Sequence, residues 1–314
     1  MNEPLWTDKL AEELHKPIRR KFIQRRVISN GIDHIWSADL IEMQPYSKEN
    51  DGVRYLLNVI DVFSKYAWSK PLKNKTGNEV TEAFGEILKE GRKCKLLWVD
   101  EGTEFYNKVF LKFLDDNDIK IYHTFNQGKA VIIERFNKTM KTWMWKYFSA
   151  NNTFRYIDML PDLINKYNNK KHRSIKMSPK EASLKKNEGR VYYNLYGDME
   201  QPLLVSKFKV GDKVRISKIK RKFEKGYWPN FTEENFIVRS IQYTNPLTYT
   251  LTDLDGEEIK GSFYEQELQK TDQEIFRIEK VIRKDNKKKQ ALVKWRGYPE
   301  KFNSWIPLRD IVKL

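Results

Sequence analysis

Ile35-Trp36-Ser37-Ala38-Asp39-Leu40-Ile41-Glu42-Met43 is the stretch on which the fold turns. Before it, Lys16, Arg19, Arg20, Lys21, Arg25 and Arg26 follow one another without an acid, after a short amphipathic stretch from Leu5 to Leu14. From Ile35 the pattern becomes that of a strand. Successive side chains of an extended chain point to opposite faces, so Asp39 shares a face with Ser37 while Trp36, Ala38 and Leu40 take the other. One carboxylate thus projects from a sheet while its neighbours pack.

Working outward, 53–61 and 66–72 read as two more strands, with Asp51-Gly52 and Asp61 to Ser64 supplying turns between antiparallel neighbours. A helix is expected over 78–91, with Val80, Phe84, Ile87 and Leu88 on one face, then a buried strand at 95–99. A second helix over 107–116 carries Val109, Phe110, Phe113 and Leu114, and a short strand at 119–123 follows. Beyond a loop holding Asn126-Gln127-Gly128, a long helix runs over 131–148, and another over 154–168 is kinked or divided at Pro161. Three strands, then helix, strand, helix, strand, helix is the order of an α/β ribonuclease H-like fold, a five-stranded mixed sheet with helices on its faces.

The 314 residues suffice for two or three cores. Composition divides them into a basic arm (1–34), the α/β core (35–190), a linker (191–204), a small SH3-like β-barrel (205–270) and a last β module (271–314). The 59 Lys and Arg against 43 Asp and Glu leave +16, with a pI near 9.5, a field that favours polyanions. DNA is the partner this suggests, and the basic arm is either a solvated linker or a phosphate contact. No apolar run is long enough to span a membrane and no signal pattern opens the chain, so the sequence reads as soluble and intracellular. Cys94, the one cysteine, precedes a buried strand and reads as a core residue without disulfide or zinc.

Three acids in distinct local contexts are candidates for chemistry. Asp39 lies in the strand above, Asp100 closes Leu96-Leu97-Trp98-Val99 before Glu101-Gly102-Thr103, and Glu134 opens Glu134-Arg135-Phe136-Asn137-Lys138-Thr139-Met140-Lys141. Taken singly, each reads as readily as a turn former, a cap or a solvated group. Together they offer oxygen ligands to a pair of divalent cations, which clamp the attacking and leaving oxygens of a phosphodiester about 3.5 to 4 Å apart. On the long helix Ile133, Phe136, Met140, Trp143 and Tyr147 recur at core spacing. Lys138 and Lys141 follow Glu134 by four and seven positions, within roughly 40° of it on the helix surface.

Residues 35 to 184 resemble the catalytic core of retroviral-type DDE integrases, in particular those of Polinton (Maverick) transposons and virophage elements. The resemblance includes Leu57-Asn58-Val59-Ile60-Asp61-Val62-Phe63-Ser64-Lys65-Tyr66 and Tyr167-Asn168 to His172-Arg173-Ser174. It implies Asp39, Asp100 and Glu134 as catalytic acids and metal ligands for two Mg2+ ions, with Mn2+ as the substitute. Asn137, Lys138 and Lys141 match helix positions that contact DNA ends. Asp61 stands at a structural position. The interval from Asp100 to Glu134 is slightly shorter than in related integrases, and Glu101 replaces an Asn of the retroviral cores. His15, His34, His123, His172 and one cysteine do not make the His-His-Cys-Cys zinc site of those proteins.

Toward the carboxyl end, Lys207, Lys209, Lys213, Arg215, Lys218, Lys220, Arg221, Lys222 and Lys225 interleave with Phe223, Tyr227 and Trp228. This suits DNA backbone contact and stacking, or else a solvated face over an aromatic core. The last block, Phe276 to Ile282, Leu292 to Pro299 and Asn303 to Pro307, resembles a chromodomain, which implies a methyl-lysine cage of Phe276, Trp295 and Tyr298. Phe302 occupies a position where many members carry an acid. A histone tail, DNA or a purely structural role are the alternatives.

The expectation is a DNA integrase or transposase performing metal-dependent 3′-end processing and strand transfer, acting as a homo-multimer in the nucleus or a viral factory. The alternatives are a domesticated, weakly active or inactive DNA- and chromatin-binding protein, and a metal-dependent nuclease that does not join.

Overall fold

The structure, a computed structural model, describes residues 9–19, 21–123, 131–197, 205–218, 227–272 and 276–311. It forms two compact units, one from residues within 27–200 and the other from residues within 1–26 and 201–314. A short helix α1 (Lys9–His15) belongs to the latter.

In the 27–200 unit, β1 (Ile35–Glu42), β2 (Tyr55–Asp61) and β3 (Ala67–Leu72) are joined antiparallel. Helix α2 (Gly77–Lys89), capped by Thr76, leads to β4 (Leu96–Trp98), and α3 (Lys108–Asp116), capped by Asn107, leads to β5 (Lys120–Tyr122). Both caps accept a backbone N–H that the first helical turn would leave unpaired. The sheet order β3-β2-β1-β4-β5, with β4 and β5 parallel to β1, is the five-stranded mixed sheet expected. Helix α4 (Val131–Asn151) and helix α5 (Leu160–Asn169) complete this layer, followed by α6 (Pro179–Ala182) and α7 (Glu188–Tyr196). The helix expected over 154–168 is divided just before Pro161: a 3-10 turn (Ile157–Met159) leads into α5, and Pro161 sits in its first turn, where its missing N–H costs no bond.

The alternation along β1 sets two cores. Trp36 and Ala38 pack with Val80 and Phe84 of α2 and Phe110 of α3. Ile35 and Ile41 pack on the opposite face with Ile133, Phe136, Met140, Met144 and Phe148 of α4 and Leu163 of α5. Met144 and Phe148 complete the buried stripe of α4, while Trp143 and Tyr147 are only partly buried against the same cluster. Cys94 is in the α2 core, and burial pushes its thiol pKa up. Ser29 is fully buried in this unit, donating its N–H to the Tyr196 hydroxyl at 3.0 Å.

In the second unit β6 (Lys213–Ile216), β7 (Phe236–Gln242), β8 (Thr248–Thr252), β9 (Glu258–Tyr264) and β10 (Leu268–Lys270) form one antiparallel sheet, ordered β10-β6-β7-β8-β9. Its core is Phe208, Val214, Phe236, Val238, Tyr249, Leu251 and Leu268. Helix α1 docks there: Leu10 and Leu14 are buried, and the Leu14 carbonyl accepts N–H groups of Asn230 and Phe231 at 2.7 and 3.1 Å. Arg215, expected among the surface cations, is 1% exposed and donates to Glu13 Oε2 at 3.3 Å and to the carbonyls of Thr232 and Glu233. A guanidinium taken from water needs that set of acceptors.

The strands β11 (Ile278–Asp285), β12 (Gln290–Trp295) and β13 (Ser304–Pro307) make a three-stranded meander in the same unit. It is fixed to the five-stranded sheet by Glu233, paired with Arg277 at 2.7 Å and Arg296 at 3.3 Å, and by Lys301, paired with Asp253 and Glu257. Among the described residues no helix is long and apolar enough to cross a membrane.

Candidate active site

Register brings the first two acids together. The last pair of the parallel β1–β4 ladder is Ser37 with Trp98, and Asp39 and Asp100 each lie two residues further on. Both are therefore at the carboxyl side of adjacent parallel strands, the side at which open α/β sheets present their sites. Period-two alternation turns Asp39 to the face covered by α4, and the packing of Ile133 and Phe136 against that face brings the first turn of α4, with Glu134, over it.

Asp39 accepts hydrogen bonds on both oxygens, from the Leu40 N–H at 2.9 Å and from Asn137 Nδ2 at 2.7 Å. Asn137 Oδ1 accepts from Asn58 Nδ2 at 2.7 Å, and Asn58 is the cross-strand partner of Asp39. Burial above all, with the charges of Asp100 and Glu134 adding to it and the Leu40 N–H and Lys141 opposing it, leaves the Asp39 pKa raised to about 6. Asp100 and Glu134 are thus near enough for their charges to act on Asp39. Among the described residues, no three Asp, Glu, His or Cys side chains converge closely enough to hold an ion. A donor set of oxygens alone, with a surplus of negative charge felt at Asp39, still fits a hard divalent cation in kind.

Glu134, Lys138 and Lys141 are all exposed, as the helix-face argument requires. Asn137, expected beside them on the DNA face, is 8% exposed instead, and its amide is engaged by Asp39 and Asn58. The reason is its place one position past Phe136, inside the buried stripe. Asn58 is the residue that sequence reasoning passed over. Its signal was an amide in the otherwise apolar Leu56-Leu57-Asn58-Val59-Ile60, fully buried in the structure. Asp61 is the structural residue expected: fully buried, it accepts from the Phe63 N–H, from Ser64 Oγ at 2.5 Å and from Arg92 at 2.9 Å.

Phe276, Trp295 and Tyr298 are brought together, with ring centroids 5.9 Å apart for Phe276–Trp295 and 5.6 Å for Phe276–Tyr298, both edge to face. Rings at that spacing pack against one another. Tyr298 is 5% exposed and its hydroxyl accepts the Asn235 N–H at 3.0 Å. The loop of Asn126, Gln127 and Gly128, and the basic and aromatic positions Lys220, Arg221, Lys222, Phe223 and Lys225, lie outside the described residues.

A family model described as Integrase core domain matches residues 30–127, taking in Asp39 and Asp100 and ending before Glu134. A transposon-derived protein of Caenorhabditis elegans is 35% identical over 203 residues, 63% of this chain and 67% of that protein. The chain belongs to the integrase-core family of transposon-derived proteins. The chain is also 28% identical over 129 residues to the Pol polyprotein of Radiation murine leukemia virus (strain Kaplan), 40% of this chain and 22% of the polyprotein. In fold, this integrase-core chain is similar to a chain of the simian T-cell lymphotropic virus intasome solved with PP2A regulatory subunit B56 gamma. The TM-score is 0.56 at 14% identity, covering 86% of this chain and 90% of that one. A Chromo (chromatin organisation modifier) domain model matches residues 275–314, the block holding the three-stranded meander.

Proposed function

We propose that this chain is an integrase that trims a donor DNA 3′ end and joins the resulting hydroxyl to a target phosphodiester. The observation that supports this best is Asp39: a half-buried carboxylate in the field of Asp100 and Glu134, held by Asn137 and flanked on the helix side by Lys141. Asp39, Asp100 and Glu134 would hold two Mg2+ ions, or Mn2+, which when bound supply charge neutralisation at the attacking and leaving oxygens. The chain's own part is positional. Asn137 fixes the Asp39 carboxylate, β1 and β4 fix the spacing of the aspartates, and Lys138 and Lys141 draw donor phosphates along the helix toward Glu134.

Inserting a whole element joins both of its ends to one target, and a homo-multimer working in the nucleus is part of this reading, by analogy with the intasome in which the structural relative was solved. A second reading, a DNA- and chromatin-binding protein without catalysis, draws on the three acids standing apart and on the chromodomain match. A labelled oligonucleotide carrying the element's end, incubated with target duplex and Mg2+, decides between them. Labelled products longer than the donor support the integrase; shortened donor without longer products indicates a nuclease; unchanged donor with retained binding favours the second reading.

A further inference from the structure

The helix face that carries Glu134, Lys138 and Lys141 does not end there. Trp145 is eleven positions beyond Glu134, which returns it to within roughly 20° of the same line and about 16 Å along the axis. Its indole is 41% exposed, although Tyr46 meets it edge-on at 5.6 Å and Phe148 supports it at 5.3 Å. It is an aromatic plane held rigid by its neighbours yet open to solvent. Beside it lies a shallow, open groove lined by Lys141, Thr142, Trp145, Lys146, Ser149 and Ala150. From Arg135 to Asn151 helix α4 holds no acid, so the charges it contributes to this face are all positive.

We infer that Trp145 is a stacking platform for an unpaired nucleobase of the DNA bound at the acid site, with Lys141 and Lys146 taking the phosphates on either side of it. This deepens the integrase reading and rests on it. An aromatic face accepts any base, because every base has a π-face, and flanking ammonium groups hold the backbone without reading sequence. At 3.4 Å per stacked nucleotide the platform is about five nucleotides from Glu134, a place for a frayed or overhanging strand rather than for the scissile bond. A second copy of this chain fits the groove less well, since a two-fold contact brings the same lysines of both copies to one interface.

The test measures binding of full-length protein, in EDTA so that no chemistry intervenes, to a duplex with a single-stranded overhang carrying 2-aminopurine and to the blunt duplex of the same sequence. The expected results are about a tenfold loss of overhang affinity for Trp145→Ala, partial retention for Trp145→Phe, and loss of 2-aminopurine quenching in the alanine variant. Lys146→Gln should weaken overhang binding more than blunt binding. Equal losses on both probes, or none, overturn the proposal. So does Trp145→Ala converting a multimer to monomer in sedimentation without altering overhang binding. Because no joining is measured, Trp145-dependent overhang binding in a chain that fails strand transfer sinks the integrase reading alone, and joining by a chain indifferent to Trp145 sinks this one alone.

Discussion

Asn137 donates its amide to Asp39 at 2.7 Å, so the residue that orients the first acid comes from the helix that carries the third. Asn58 closes the chain of contacts from the neighbouring strand. Replacing Asn137 by Leu keeps the volume and removes the donor. The expected outcome is a stability loss of about 1 to 3 kcal/mol, since Asn58 loses its acceptor, and strand transfer at least tenfold lower with DNA affinity unchanged. Asn58→Leu should act in the same direction, and the double variant should lose less than the sum. Additive losses in such a cycle would show that the two amides do not act through one another.

Asp39→Asn should abolish joining while leaving DNA affinity intact, as should Asp100→Asn and Glu134→Gln. The Asp39 variant should also melt higher at pH 7.5. Its carboxylate has a folded-state pKa near 6 against an ordinary 3.8, so the folded chain binds the proton more tightly and pays to keep Asp39 ionised above pH 6. A neutral amide removes that cost. A lower melting temperature for Asp39→Asn would show that burial does not penalise the Asp39 carboxylate.

Lys138 and Lys141 are exposed on the Glu134 face. Lys141→Gln is expected to fold normally and to reduce the slope of log affinity against log salt by about 0.9, the release of one counterion. Lys138→Glu and Lys141→Glu should weaken donor-end binding more strongly through charge reversal. Unaltered affinity in both would remove DNA from this helix face.

Glu13 is remote in sequence from the sheet it stabilises. Its carboxylate faces Arg215, which is 1% exposed, and accepts from Thr271 Oγ1 at 2.8 Å. Glu13→Ala leaves a buried guanidinium short of its counter-charge and should cost roughly 3 kcal/mol. Hydrogen exchange on the full chain reads this as faster exchange in β6 and β10, with β1 to β3 unaffected.

His172 gives the 27–200 unit a pH dependence. Burial, then Lys65, Arg135 and Arg173, lower its pKa to about 4 from 6.5, and its Nδ1 lies 3.4 Å from the Ser174 N–H as acceptor. The unfolded chain therefore takes the proton first as pH falls. Stability is complete above pH 6.5 and is lost progressively down to about pH 4. His172→Gln should flatten that part of the melting-temperature profile, and wild type and variant showing identical slopes between pH 6.5 and 4 would refute the assignment.

The order of elements, the alternation that turns Asp39 away from Trp36 and Ala38, and the exposure of Glu134, Lys138 and Lys141 along one helix line were all legible in the sequence. They are periodicities of the chain itself, two for a strand and 3.6 for a helix. Asn137 could not be placed that way: only the packing of α4 on β1 and β2 buried it and made it the hydrogen-bond donor to Asp39. Arg215 reads as one more cation in a basic run until α1, some two hundred residues earlier, supplies its partner. Contacts between segments far apart in sequence leave no periodic trace in either one, so the network around Asp39, the docking of α1 and the aromatic support beneath Trp145 were decided by tertiary packing alone.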